Sequence, residues 1–220
     1  MTLTLLGDVH GDMARVGPVL SEATGPVIQL GDLGFRDAWE WADKQPNFYV
    51  VAGNHDDYSV APSTSCYLGD YGILPFAPQV FFVRGADSID REARIEGVSW
   101  WREEELSARQ QNDTFDYYDA RRKTYNPVDI VLSHEAPTQI RKEVFGLPPT
   151  RTSQLLQAMW DLHKPRLWFY GHHHKATFTQ LGRTAFRCLR IGEAAIVETD
   201  YAVMELPGCR NPGREPSIME

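Results

Sequence analysis

The stretch Leu3 to Asp12, LTLLGDVHGD, decides the fold. It is an apolar run with one threonine and no proline, and it stops at Gly7. A run of this kind reads as a buried strand. Gly7 lets the chain turn sharply where the strand ends. Asp8 and His10 follow two residues apart, so on an extended segment both project to one side. An oxygen and a nitrogen donor then face one point at the carboxyl end of a strand, the edge where open α/β sheets bind ligands. A single Asp-x-His is equally a turn aspartate beside an incidental histidine. The pattern gains weight because it recurs along the chain.

Val27 to Leu30 is a second apolar run, ending in Gly31-Asp32, and Phe48 to Ala52 is a third, ending in Gly53-Asn54-His55-Asp56. Between them, residues 13–23 carry apolar side chains at helical spacing behind an N-cap at Asp12. Residues 36–44 suit a helix with Trp39 on its apolar face, ended by Pro46. Farther on, Val128 to Leu132 reads as a strand ending in Ser133-His134, and Leu167 to Tyr170 as one ending in Gly171-His172-His173-His174. A helix is expected over 151–163. Strand and helix alternate, which predicts a layered α/β architecture. Residues 60–100 suggest small strands and turns, and 176–205 alternate as antiparallel strands do. Residues 103–123 are charged, with Phe115, Tyr117 and Tyr118 interleaved, and read as one or two exposed helices. The expectation is one domain over 1–206, a cap-like insertion at about 84–127 laid over the site, and a flexible tail from 207 to 220.

Composition narrows the functional classes. The 220 residues suffice for one well-buried domain. A net charge of −8 disfavours loose electrostatic binding to nucleic acid, though not a site gripping one phosphate. Cys66, Cys188 and Cys209 are far apart with no CxxC, which argues against a disulfide partner and a thiolate zinc site. No segment approaches the length of a membrane span. The N-terminus lacks a basic region and reaches Asp8 too early for a signal peptide, so a cytoplasmic protein is expected.

Five separated strand ends deliver Asp8/His10, Asp32, Asn54/His55, His134 and His172/His174. Carboxylate, amide oxygen and imidazole, without sulfur, suit borderline-hard divalent metals. These candidates exceed what one tetrahedral ion uses. They match two ions if one carboxylate bridges them.

The blocks GDVHG (7–11), GDLGFR (31–36), GNHD (53–56), SH (133–134) and GHHH (171–174) resemble, in order and spacing, those of the calcineurin-like metallophosphoesterase superfamily. The resemblance runs from residue 3 to about 200 and implies a four-layer α/β/β/α sandwich with a small helical cap. It further implies that Asp8, His10 and His174 hold one metal, that Asn54, His134 and His172 hold the second, and that Asp32 bridges them. The ions expected are manganese, iron or zinc, with magnesium, cobalt or nickel also compatible. His55 would be the acid that protonates the leaving oxygen. Arg36 matches the phosphate-gripping arginine of the phosphoprotein phosphatase branch, and Asn54 would also touch substrate. The implied activity is hydrolysis of phosphate mono- or diesters by a metal-bridging hydroxide, on a small phosphate ester, a phosphoprotein or a nucleotide. A phosphodiesterase or nuclease acting on cyclic nucleotides or short single strands is the alternative, and a metal-free scaffold the third reading. Oligomeric state is left open. The segment GADSIDREARIEGVSWWREEELS (85–107) also looks like one found in small bacterial and phage-encoded metallophosphoesterases.

One departure stands out. In the phosphoprotein phosphatases an aspartate just before the arginine orients the acid histidine, and here that residue is Phe35. A carboxylate from elsewhere, or solvent, is then expected to set the tautomer of His55, and Arg36 is equally a solvated arginine at a helix start. Plainer readings hold elsewhere. His163 reads as a helix-end partner, His173 as pointing away from its neighbours, and Asp56 as capping a turn. Trp100-Trp101 reads as core, with one ring available to the site's mouth. Phe115, Tyr117 and Tyr118 read as packing rather than nucleobase stacking, and Arg121-Arg122-Lys123 as a solvated face.

Overall fold

The computed structural model describes residues 1–123, 127–199 and 203–205. Along the chain it contains β1 (Thr2–Leu6), α1 (Val16–Glu22), β2 (Val27–Gln29), α2 (Arg36–Ala42), β3 (Phe48–Val50), β4 (Tyr71–Leu74), β5 (Ala77–Val83) and α3 (Ala108–Arg122). There follow β6 (Ile130–Ser133), α4 (Thr138–Phe145), α5 (Arg151–Leu162), β7 (Leu167–Tyr170), β8 (Thr177–Leu181), β9 (Thr184–Cys188), β10 (Ala194–Glu198) and β11 (Val203–Glu205). They form two mixed sheets, ordered β11-β10-β1-β2-β3 and β4-β5-β6-β7-β9-β8. The centres of both sheets are parallel, β1 to β3 in one and β5, β6, β7 and β9 in the other.

Alternation along the central strands explains the layers. Successive side chains on a strand point to opposite faces. Leu3 and Leu5 of β1, Ile130 and Leu132 of β6, and Leu167 and Phe169 of β7 join one core, which lies between the sheets. The side chains between them turn outward and are buried as well. Leu6, Val27 and Val50 pack beneath Val16 of α1 and Trp39 of α2. Val131, Trp168 and Tyr170 pack beneath Tyr118 of α3, Ile140 of α4 and Leu156 and Met159 of α5. Strands buried on both faces read as continuous apolar runs because helices cover the outer side. The result is the α/β/β/α sandwich, with helices flanking two mixed sheets.

Several local expectations changed. The carboxylate of Asp12 caps no helix. It accepts from Arg15 Nε at 2.8 Å, residues 13–15 form a 3-10 turn, and α1 begins only at Val16. Helix α4 was not foreseen; it follows Pro137 and ends at Gly146, whose φ is 70°. Helix α3 starts with a reciprocal cap between Ser107 and Gln110 and packs against α5 and β4. Tyr118 meets Phe81 edge-on, with centroids 5.0 Å apart, and Tyr117 lies between Tyr71 and Phe81, so both rings serve packing. In the region expected as a cap, therefore, α3 belongs to the outer helical layer, whereas residues 85–104 reach the strand ends. The expected tail lies outside the described residues. Among those residues, no helix is long and apolar enough to cross a membrane.

Candidate metal centre

Each donor foreseen for the metals stands just beyond the carboxyl end of a parallel strand: Asp8 and His10 after β1, Asp32 after β2, Asn54 after β3, His134 after β6, His172 and His174 after β7. Four of them do not lie on extended chain. His10, Asp32, His172 and His174 have φ of 51°, 57°, 65° and 53°. Non-glycine residues in this left-handed region cost on the order of 1 kcal/mol each and persist where surrounding contacts over-determine them. Asp8 and His10 therefore converge because His10 turns back, not because alternate residues of a strand share a side.

Hydrogen bonds hold these turns together. Val9 and His10 N–H both donate to Asp32 O, at 3.1 and 2.8 Å. Asp8 Oδ1 accepts from His172 N at 3.0 Å, and Asp32 Oδ1 accepts from His55 N at 2.8 Å. His134 Nδ1 lies 2.6 Å from Leu30 O, which assigns the proton to Nδ1 and turns Nε2 inward, 3.1 Å from both Asn54 Oδ1 and Asp32 Oδ1. Two ligand groups result and share Asp32: Asp8, His10, Asp32 and His174 in one, Asp32, His134 and His172 in the other. Within each group the donor atoms lie within 4.8 Å of one another.

Three observations test whether cations fit. Asp32 Oδ2 is buried without a hydrogen bond, a costly state for an acceptor unless a cation completes it, and buried Asp8 Oδ2 has the His174 ring nitrogen beside it at 3.1 Å. His10 Nε2 and His174 Nε2 face each other at 2.9 Å, two imidazole nitrogens aimed at one place. Glycines clear the space: a Cβ on Gly53 would stand 2.5 Å from His134 Nε2 and nearer still to Asp32 Oδ1, and one on Gly171 would meet Asp8 Oδ1. The electrostatics agree. Burial opposes a charge on His134, yet the Asp32 carboxylate outweighs it and raises the ring to about 10. The cluster thus draws positive charge to Asp32. Burial lowers His172 to about 4, which keeps its ring neutral and able to ligate.

The second rank of contacts was largely unread in the sequence. Asp56 is fully buried and accepts from the N–H groups of Asp32 (3.0 Å), Gly34 (3.0 Å) and Gly53 (2.6 Å), tying the loops after β2 and β3 together. Ser88 accepts from Asn54 Nδ2 at 3.1 Å and donates to Glu104 Oε2 at 2.6 Å, which turns Asn54 Oδ1 toward the cluster. Glu135 is buried, ion-paired with Arg141, and accepts from His173 Nε2 at 2.9 Å, while His173 stacks on Phe145. Glu135, His172 and His173 also lie close enough to count as a ligand set, but Arg141 already balances that carboxylate. The signal for Ser88 and Glu104 was the 85–107 segment itself.

Two catalytic expectations meet different surroundings. Arg36 opens α2 with its side chain 60% exposed, 3.9 Å from Glu40, and lines a shallow recess with Gly11, Phe35 and Trp41. Its one ion pair among the described residues is with Glu40. His55 lies beside His10, ring centroids 5.3 Å apart. Its Nε2 faces no carboxylate but the guanidinium of Arg94, at 3.3 Å. Burial, together with Arg94, holds the pKa of His55 below its usual value despite Asp32.

Comparison with known proteins places this arrangement. A profile described as calcineurin-like phosphoesterase matches residues 1–176. No functionally curated protein matches the sequence. Among solved structures, TT1561 of Thermus thermophilus superposes with a TM-score of 0.58 at 12% identity, covering 93% of this chain and 96% of that one. A dimetal phosphatase of Danio rerio gives 0.54 at 16% identity, covering 89% and 91%. GAP50 of Plasmodium, an anchor in the inner membrane complex, gives 0.50 at 10% identity, covering 87% and 72%. Identities this low show a shared fold, and one fold hosts catalysts and anchors alike.

Proposed function

Because this chain belongs to the calcineurin-like phosphoesterase family of metal-dependent hydrolases, we propose that it hydrolyses phosphate esters with two divalent cations. Asp8, His10 and His174 would hold one, Asn54, His134 and His172 the other, and Asp32 both. The nitrogen and oxygen donors suit manganese, iron or zinc. When bound, such a pair neutralises phosphoryl oxygens and makes water nucleophilic near neutral pH.

The protein's own groups do the rest. Asp32 is fixed by His55 N–H at one oxygen and leaves the other free for ligation. Asn54 presents its oxygen inward because its amide nitrogen is bound to Ser88. His55 stands at the edge of the cluster, where a leaving oxygen would need a proton. The observation that carries the reading is the pair of ligand groups sharing Asp32. No residue of the family's ligand pattern is lost from the sequence, which speaks against a metal-free scaffold.

A hydrolysis panel tests it: p-nitrophenyl phosphate, its bis ester, a cyclic nucleotide, a phosphopeptide and short single-stranded DNA, each with manganese, zinc and magnesium. At least one ester is hydrolysed, and Asp8→Asn and His134→Ala abolish it. Activity surviving in metal-stripped protein overturns the reading. Turnover confined to the cyclic nucleotide or the DNA gives the phosphodiesterase alternative.

A further inference from the structure

We propose that Arg94, held by Asp90, binds a terminal oxygen of the substrate's phosphoryl group beside His55, and that the substrate is a phosphate monoester. This rests on the two-cation reading above and assigns a role to the 85–107 segment.

The guanidinium is fixed from behind and free in front. Its Nε and Nη2 donate to the two oxygens of Asp90, both at 2.8 Å, as a fork matched to a carboxylate. Its Nη1 donates to Ser99 O at 3.0 Å. The remaining hydrogen of Nη2 points to His55 Nε2 at 3.3 Å, the longest of the four contacts. That contact is the one a phosphate oxygen can replace without disturbing the Asp90 fork. The side chain is 18% exposed, so it reaches the site's edge without lying free in solvent.

The neighbouring charges fit an anion. His55 adjoins His10, a member of the first ligand group, so Arg94 stands one imidazole away from that group. Arg36, the other arginine considered for this task, points to Glu40 and solvent. A monoester carries three terminal oxygens. With two of them taken by cations held at the two ligand groups, the third would be left for Arg94. In a diester that third oxygen bears a substituent and accepts a charge-assisted hydrogen bond poorly.

The test measures inorganic phosphate binding to cation-loaded protein by calorimetry, with kcat and KM for p-nitrophenyl phosphate and its bis ester. Arg94→Ala should weaken phosphate binding and lower kcat/KM for the monoester by about 10- to 100-fold, the range expected for a charge-assisted hydrogen bond. The bis ester should lose under about 3-fold, since that bond is poorly made there. Arg94→Lys should recover part of the binding, and added guanidinium should rescue Arg94→Ala. Asp90→Asn should shift KM in the same direction to a smaller extent. Arg109→Ala, on the exposed face of α3, controls for loss of one positive charge. Cation content and circular dichroism establish that each variant is folded. Unchanged phosphate affinity in folded, cation-loaded Arg94→Ala overturns the proposal, as does an equal loss for both esters. Were the wild type to hydrolyse nothing, the family-based reading would fail separately, and phosphate affinity would still decide the role of Arg94.

Discussion

Gly53→Ala tests how the geometry of the centre depends on the absence of one side chain. The new methyl carbon would lie 2.5 Å from His134 Nε2 and 2.7 Å from Asp32 N, whereas ordinary contact begins at 3.4 Å. The overlap with the ring is thus roughly 0.9 Å. Asp32 N belongs to the backbone and cannot swing aside alone, so the loop after β2 must shift along with the His134 ring and the Asp32 carboxylate. A displacement of about 1 Å in a catalytic constellation can cost on the order of 10²-fold in rate. The backbone at Gly53 is not in the left-handed region, so the strain of alanine there comes from the close approach and not from its own conformation. The expectation is a folded protein that holds fewer than two cations per chain and loses at least about 10²-fold in phosphoester hydrolysis. Elemental analysis, thermal melting and a p-nitrophenyl phosphate assay read the three quantities. Gly17→Ala is the control: it lies in α1 with no non-neighbouring group within 4 Å and should leave cation content and turnover unchanged. Gly53→Ala with wild-type cation content and wild-type turnover would refute the argument that this glycine clears room for ligands.

Other expectations follow from the same contacts. Ser88→Ala frees the Asn54 amide and should weaken cation affinity by roughly 10- to 100-fold in a competition titration, and it should lower the melting temperature too, since Glu104 and Asn54 lose a buried partner. Asp56→Asn cannot accept from all three of its N–H partners and should cost about 1–3 kcal/mol in urea unfolding. Chelation should lower the melting temperature by roughly 10–20 °C relative to protein with each cation at about 100-fold over its dissociation constant, since each site then contributes about 2.7 kcal/mol. In cation-free protein, burial would raise the pKa of Glu135, but His172, His173 and Arg141 outweigh it and hold it at about 2. A carboxylate held below its ordinary value stabilises the fold above that ordinary value and stops doing so as the pH falls toward 2. Glu135→Gln should flatten this acid dependence of the unfolding free energy.

Much of the architecture was legible because it depends on local pattern. Leu3 to Leu6 and Leu167 to Tyr170 announce strands buried on both faces, a signal that survives without knowledge of neighbours. The same holds for the glycines that stop those runs and the donors placed after them. Helix α4 and the late start of α1 were hidden for a different reason. Asp12 resembles a cap in sequence, yet its carboxylate is satisfied by Arg15, and only the folded chain decides which partner wins.

The sequence by itself determined which atoms are available for chemistry: imidazole, carboxylate and amide oxygen, each behind a strand, with no thiolate among them. Donor type is a property of the residue and travels with it. Orientation is not, and it was decided by the tertiary structure. Left-handed turns at His10, Asp32, His172 and His174 aim the donors inward, Ser88 settles which end of Asn54 faces the cluster, and Arg94 rather than a carboxylate meets His55. The last two outcomes depend on residues 34 and 39 positions apart in the chain, and no local rule of spacing encodes a contact at that range.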